Sequence, residues 1–195
     1  PKSVIKNISP KTKAILAIDI FGHPCDYEAL QNIANEYGLK LITDTAQSPG
    51  SLYKDEFTGT QSDVGGYSLN YHKHIHTGEG GVIVTNNDKI FEKLQLIRNH
   101  AEAVVRGKGV SDLTNMVGYN FRLGEIECAI GIEQLKKMQS FVIKRQKIAS
   151  LLNEGLKGLN GLTTPVVKPD CSHAYYIYGM LLDIDIIKIP RKKLI

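Results

Sequence analysis

The chain has 195 residues, of which 42% are hydrophobic and 7% aromatic, a composition that suits one globular domain or parts of two. Its formal net charge of +4 is spread along the sequence and shows no nucleic-acid-binding signature, so we expect no nucleic-acid partner. No apolar run reaches the roughly 18 residues of a membrane span, so we expect no membrane partner either.

Short apolar runs alternate with helical patterns along the first part of the chain. Residues 14–20, "AILAIDI", predict a buried strand. Residues 25–38 predict a helix that Asp26 caps and Gly38 ends. Residues 39–44, "LKLITD", predict a second strand, and the strand–helix–strand order implies a right-handed parallel crossover.

The remaining elements predict two more strands and two helices before a change in composition. Residues 64–70 and 81–85 read as strands, and the segment between them is too short for a helical crossover, so we expect an antiparallel pair. Residues 86–100 predict a capped helix, and residues 122–156 predict one long helix. A new strand is expected to begin within 173–184, "HAYYIYGMLLDI".

This order of elements predicts an α/β fold, a mostly parallel sheet with helices on both faces. A linker-like composition near residue 160 divides the chain. We therefore expect residues 1–158 to be part of a large domain with a long C-terminal helix, and residues 159–195 to start a small α+β domain. The abrupt first and last segments, "PKSVIKN" and "IPRKKLI", suggest a piece of something longer.

Three polar side chains lie near the predicted carboxyl edge of the sheet, where open α/β sheets bind ligands. Asp44 ends the second strand, Ser68 lies in the third, and Lys73 follows it. Pyridoxal phosphate needs a lysine for its Schiff base and a carboxylate opposite its pyridine nitrogen, and small hydroxyl donors can hold its phosphate. Each residue also has an ordinary alternative, since Asp favours turns, a strand Ser can pack, and Lys is usually solvated.

Three blocks of sequence resemble the DegT/DnrJ/EryC1/StrS sugar aminotransferases in order and spacing. The blocks are "DTAQSPGSLY" (44–53), "GGYSLNYHKHIHTGEGGVIVTNND" (65–88) and "GYNFRLGEIECAIGIEQL" (118–135). Members of that family are fold-type-I enzymes that depend on pyridoxal 5'-phosphate. The resemblance covers nearly the whole chain, and it implies that residues 1–158 belong to the cofactor-binding large domain.

The resemblance also implies a role for five residues. Lys73 stands where the family has its Schiff-base lysine, which also carries the proton between substrate and cofactor carbons. Asp44 matches the carboxylate that faces the pyridine nitrogen, and Gln47 matches the amide on the hydroxyl side of the ring. Ser68 matches a phosphate-binding serine. Asn120 matches an asparagine that reaches the phosphate from a partner subunit, which implies a homodimer.

The expected activity is transfer of an amino group from glutamate to a keto group of a nucleotide-linked deoxysugar, in glycan or polysaccharide biosynthesis. Relatives with histidine in the lysine position perform a dehydration instead, so Lys73 favours amino transfer. A dehydratase and an inactive fragment remain the alternatives, because the family is about twice this length. Three dispersed cysteines without a CxxC motif predict a reducing, cytoplasmic location.

Three histidines around the lysine allow a second interpretation. His72, His74 and His76 alternate, so in an extended chain they would face one way and could bind zinc or copper. Glu79 is the one nearby carboxylate, and it lies in a glycine-rich turn. We therefore expect no metal and assign the histidines to pocket lining or simple structure.

Overall fold

The computed structural model describes residues 1–102 and 116–193. Its helices are α1 Lys2–Asn7, α2 Tyr27–Glu36, α3 Asp88–Arg98, α4 Glu125–Leu135, α5 Met138–Gly155 and α6 Ile184–Ile187. Its strands are β1 Ala14–Ile18, β2 Lys40–Asp44, β3 Leu52–Tyr53, β4 Glu56–Phe57, β5 Val64–Ser68, β6 Gly81–Val84, β7 Leu162–Thr163, β8 Cys171–Ser172 and β9 Leu181–Leu182. Short 3-10 turns occupy Ile20–Gly22 and Arg191–Lys193.

The main sheet has four strands in the order β1-β2-β5-β6. Strands β1, β2 and β5 are parallel, and β6 runs antiparallel to β5. This arrangement confirms the predicted α/β class, the parallel crossover through α2 and the antiparallel last pair. The predicted strands were slightly too long, because β1 ends at Ile18 and β5 at Ser68.

One face of the sheet carries the hydrophobic core. Ile15 and Ala17 of β1 and Leu41 of β2 are buried there against Leu30 and Ile33 of α2. Successive strand side chains alternate between faces, which is why every second residue of β1 and β2 is buried. Burial of one such side chain contributes about 1.5–3 kcal/mol, so this packing fixes α2 on the sheet.

Helix α2 has the ends that its sequence predicted. The Asp26 side chain caps it by accepting a hydrogen bond from the Ala29 amide, at 3.2 Å. Gly38 follows the helix in a left-handed conformation, with φ of +63°, which glycine adopts without strain. Both predicted signals are therefore confirmed.

The opposite face of the sheet is open where it approaches the candidate site. Leu16 is 65% exposed, and Ile18 and Ile83 are also exposed on this face. Asp44 and Ser68 lie on the same face, because Asp44 pairs with Gly66 and Ser68 follows Gly66 by two residues along β5. Helix α4, in contrast, lies on the side of α2, where it faces β5 and β6 across an apolar cavity of about 590 Å³.

The single long helix predicted over 122–156 is wrong, because the chain forms α4 and α5 with a break between them. At the break, the Lys137 amide bonds to the Gln134 carbonyl, three residues back instead of four. Both Lys136 and Lys137 keep right-handed backbone angles, so the helical turn tightens there without a proline or glycine. The apolar pattern runs through the break, and it therefore predicted one element.

The strand expected within 173–184 is reduced to β9, which pairs with β7. The backbone before it bonds to the turn after β1 instead of to a sheet. The Ala174 amide donates to the Gly22 carbonyl at 2.9 Å, and the Ile177 amide donates to the Phe21 carbonyl at 3.2 Å. These long-range bonds replace the strand ladder.

No helix within residues 1–102 and 116–193 combines the length and the hydropathy that crossing a membrane needs.

Candidate active site

Two of the predicted site residues meet at one cavity beside the sheet. Asp44, the last residue of β2, pairs in register with Gly66 of β5, and Ser68 lies two residues further along β5. The cavity has a volume of about 420 Å³, within the range usual for small-ligand sites. Its lining includes Leu16, Ile42, Asp44, Gly66, Ser68 and Ile83.

Gly66 gives this cavity a floor of bare backbone. A Cβ atom built on Gly66 meets no other group within 4 Å, so any side chain there would project into open space. The Gly66 backbone is therefore open to a ligand that contacts Asp44 and Ser68. The carboxylate and the hydroxyl together suit a flat aromatic group that presents a ring nitrogen to the carboxylate and an anionic substituent to the hydroxyl.

Hydrogen bonds at Asp44 and at Gln47 hold the loop after β2. The Asp44 carboxylate accepts a hydrogen bond from the Ala46 amide at 3.0 Å, which fixes the carboxylate at the strand end. The Oε1 atom of Gln47 accepts from the Phe21 amide at 2.6 Å, so the turn after β1 supports this side chain. With its oxygen engaged there, Gln47 has its amide nitrogen left as the donor for a ligand.

A buried carboxylate, that of Asp19, stabilises this loop through Ser48. Asp19 is fully buried, and it accepts hydrogen bonds from the Cys25 amide and the Tyr27 hydroxyl, both at 2.7 Å, and from the Ser48 hydroxyl at 3.3 Å. Burial raises the pKa of Asp19, and the three hydrogen bonds partly oppose that rise. Sequence patterns did not predict this network; the one signal was an Asp directly after an apolar strand.

Lys73 lies in the loop that leaves β5. Its amide donates to the Asn70 carbonyl at 2.9 Å, which closes a turn after the strand. The Nζ atom lies 4.7 Å from the centroid of the Tyr176 ring, close enough for a cation–π contact. Lys73 is not among the residues that line the cavity of Asp44 and Ser68. Tyr176 was not predicted as a site residue, because only the tertiary fold brings it to Lys73.

The three histidines do not share one face, because residues 71–75 form turns and bends instead of a strand. His72 is exposed, whereas His74 is only 8% exposed and its Nε2 lies 2.7 Å from the Pro49 carbonyl oxygen. In the part of the chain that the structure describes, no group of three His, Cys, Asp or Glu side chains is arranged to hold a metal ion.

Asn120 lies in a segment apart from the cavity lining. It forms an isolated antiparallel bridge with Asn99, just after α3, and its side chain is exposed. The neighbouring rings of Tyr119 and Phe121 stack at a centroid distance of 4.9 Å and are exposed as well. Within this one chain, Asn120 therefore belongs to a surface with apolar character.

Known proteins resemble this chain in sequence. GDP-perosamine synthase of Escherichia coli O157:H7 is 32% identical over 176 residues, which are 90% of this chain and 47% of that protein. The chain spans about half the length of the curated relatives it matches.

Solved structures resemble it in fold. DesV of S. venezuelae superposes with a TM-score of 0.87 at 29% identity, covering 98% of this chain and 48% of DesV. E. coli GDP-4-keto-6-deoxy-D-mannose-3-dehydratase, solved with bound hydrated PLP, gives a TM-score of 0.86 at 28% identity, covering 99% of this chain and 52% of that one. The profile of the DegT/DnrJ/EryC1/StrS aminotransferase family matches residues 1–195, and the chain therefore belongs to that family.

Proposed function

We propose that this chain carries the central part of the active site of a pyridoxal-phosphate-dependent aminotransferase. The substrates would be glutamate as amino donor and a nucleotide-linked keto-deoxysugar as acceptor, in glycan or polysaccharide biosynthesis. Family membership supports the reaction class, and the likeness to GDP-perosamine synthase supports a nucleotide-sugar substrate. The observation that carries the proposal is that Asp44 and Ser68 line one cavity together with Gly66, the β5 residue that pairs with Asp44.

Three residues of the cavity and its loop would hold the cofactor. Pyridoxal phosphate, when bound, supplies an electron sink for the carbanion made at the substrate carbon. The Asp44 carboxylate keeps a proton on the pyridine nitrogen, since an adjacent negative charge favours the protonated ring. Ser68 donates to the phosphate. Gln47 donates its amide N–H toward the ring hydroxyl, an orientation favoured by the bond from Phe21 to its oxygen.

Lys73 would act as the covalent attachment point and as the proton carrier. With pyridoxal phosphate bound, the Lys73 amine would take a proton from the substrate carbon and return it later in the reaction. A proton carrier must move between two positions, and a lysine on a loop after a strand has that freedom. The contact with the Tyr176 ring supports a defined resting position for Nζ.

The second candidate is a dehydratase that acts on a nucleotide sugar. The likeness to E. coli GDP-4-keto-6-deoxy-D-mannose-3-dehydratase favours it. Amino transfer is the better-supported reaction, because a proton-carrying amine at position 73 is what a full transamination cycle needs. A third possibility, an inactive piece, applies to these 195 residues alone and not to a longer protein that contains them.

The proposal extends to assembly and location. A homodimer would let Asn120 of one copy reach the cofactor phosphate of the other. Exposed apolar side chains close to Asn120 in sequence support this, among them Phe121 and the 76% exposed Ile126, since monomers rarely leave large apolar patches open. Residues 1–158 would form the large-domain part and residues 159–195 the start of the small domain. Three free cysteines support a cytoplasmic location.

Absorption spectra of the full-length protein test the proposed function. With pyridoxal phosphate we expect a visible absorption band that changes when glutamate is added. The variant Lys73→Ala should lose this band, whereas Lys147→Ala, at an exposed position of α5, should keep it. A band that glutamate leaves unchanged would argue against amino transfer. Mass spectrometry of the sugar product then separates the two candidates, because transfer adds an amino group and dehydration removes a hydroxyl.

A further inference from the structure

His74, the residue after Lys73, connects the two loops that carry the proposed cofactor ligands. Its ring is 8% exposed, and its Nε2 atom lies 2.7 Å from the carbonyl oxygen of Pro49. A carbonyl oxygen can only accept, so Nε2 carries the hydrogen and donates it. Pro49 follows Gln47 by two residues in the loop after β2. This single bond therefore joins the Lys73 loop to the loop of Asp44 and Gln47.

The rest of the imidazole ring fits a neutral, positioned side chain. Burial lowers the pKa of His74, as do the nearby charges of Arg145 and Lys73, while the bond to Pro49 acts in the opposite sense. With the hydrogen on Nε2, Nδ1 carries a lone pair, and it is buried without a partner among residues 1–102 and 116–193. A neutral ring adds no positive charge beside the Lys73 amine.

A second contact, with the Tyr176 ring, holds the amine end of the Lys73 side chain. The Lys73 Nζ atom and the His74 ring both approach Tyr176, at centroid distances of 4.7 and 6.3 Å. Arg145 of α5 holds this part of the chain by donating to the carbonyl oxygens of Tyr175 and Tyr176, at 3.0 and 3.4 Å. The His74 ring is therefore anchored on Pro49, and the Lys73 amine lies against Tyr176.

We propose that His74 is a positioning residue for Lys73: its Nε2–H bond to the Pro49 carbonyl sets where the Lys73 amine stands relative to the loop that carries Asp44 and Gln47. The inference rests on the proposed function of Lys73. It requires a hydrogen-bond donor at the Nε2 position and not an ionisable ring, so an amide should substitute for the imidazole. A purely structural role would instead depend on the volume that the side chain fills.

Two substitutions separate these roles in the full-length protein. His74→Gln keeps an amide N–H that can donate to Pro49, whereas His74→Leu keeps similar bulk without a donor. The same two changes at His72, which flanks Lys73 on its other side and is exposed, provide matched controls. If the leucine variant does not fold, His74→Met replaces it, because methionine adapts to irregular gaps in a core.

The first measurement needs no cofactor. Trace acetylation of the cofactor-free protein with acetic anhydride, read by mass spectrometry over a range of pH, reports the reactivity and the apparent pKa of the Lys73 amine. We expect His74→Leu to change the Lys73 rate by about threefold or more, with Lys147 as an internal standard that does not change. His74→Gln and both His72 variants should match the wild type.

The second measurement uses the enzyme loaded with pyridoxal phosphate. Since a displacement of about 1 Å in a reacting group can cost about 100-fold, we expect kcat of His74→Leu to fall between about tenfold and 100-fold while KM for glutamate stays near the wild-type value. His74→Gln should restore most of kcat. Wild-type labelling of Lys73 in His74→Leu, or a His74→Gln variant as impaired as the leucine variant, would overturn the proposal.

The two tests fail independently of each other. A visible band that survives Lys73→Ala would remove the proposed function, yet the labelling of Lys73 would still decide whether His74 orients it. A lost band in Lys73→Ala together with unchanged labelling in His74→Leu would leave the proposed function standing and remove the role of His74.

Discussion

Replacing Tyr27 by phenylalanine tests the buried network that supports the Asp44 loop. The Tyr27 hydroxyl donates to the Asp19 carboxylate and accepts from the Gly59 amide, both at 2.7 Å, and the side chain is only 2% exposed. The substitution removes one oxygen atom and keeps the ring, so the tilted contact with the Tyr53 ring remains. Any loss of stability therefore reports the two hydrogen bonds.

The expected magnitude follows from what each partner loses. A hydrogen bond to a charged group contributes about 1.5–3 kcal/mol, and a buried amide left without an acceptor costs about 1–3 kcal/mol. Asp19 keeps its hydrogen bonds from the Cys25 amide and the Ser48 hydroxyl in this variant, so we take the lower end of the combined range. We therefore expect Tyr27→Phe to reduce the free energy of unfolding by about 3 kcal/mol.

Urea denaturation of the full-length protein measures this difference from the transition midpoint. Tyr37→Phe is the matched control, because Tyr37 is 41% exposed just after α2 and should change stability by less than about 0.5 kcal/mol. A loss below about 1 kcal/mol for Tyr27→Phe would refute the reasoning, since it would mean that Asp19 and Gly59 are equally well satisfied without the hydroxyl.

Four further predictions concern the same half of the chain. Because burial raises the folded-state pKa of Asp19 above its unfolded value of about 3.9, its favourable contribution is complete below that pH and is lost as pH rises through the folded pKa. The stability of the wild type relative to Asp19→Asn should therefore fall with rising pH in that window, and a pH-independent difference in urea titrations would contradict the assignment. Asp26→Ala removes the cap of α2 and should cost about 1 kcal/mol in thermal denaturation. Gly65→Ala would place a Cβ 2.6 Å from the Gly59 Cα and should cost about 1–3 kcal/mol. Gly66→Ala meets open space, so it should melt like the wild type yet bind pyridoxal phosphate more weakly in a titration of its visible band.

Local chemistry made part of the fold predictable. Asp26 and Gly38 mark the ends of α2 because capping and left-handed backbone depend on the residue itself and its near neighbours. The antiparallel β5–β6 pair followed from the short connection between the two strands, which leaves no room for a crossover. The α/β class and the parallel β1–β2 pair were also predicted from the order of elements along the chain.

The candidate site was predictable only in part. Asp44 and Ser68 were expected at one edge of the sheet, and they line one cavity. Gly66 was not recognised as the cavity floor, because its role depends on the register that sets it beside Asp44. The place of Asn120 in a shared site stays a prediction, since it concerns a second copy of the chain.

The sequence by itself determined the α/β class and the ends of α2, and it supplied the candidate residues for a pyridoxal-phosphate site. Only the tertiary structure decided that the chain breaks between α4 and α5, that residues near Ala174 bond to the turn after β1, and that His74 reaches Pro49. The break between α4 and α5 is a local change in hydrogen bonding that a continuous apolar pattern does not show. For the other two, the physical reason is the separation in sequence between the groups that interact. Caps, turns and side-chain periodicity act over a few residues, whereas the contacts of His74 and Ala174 join groups 25 to more than 100 positions apart.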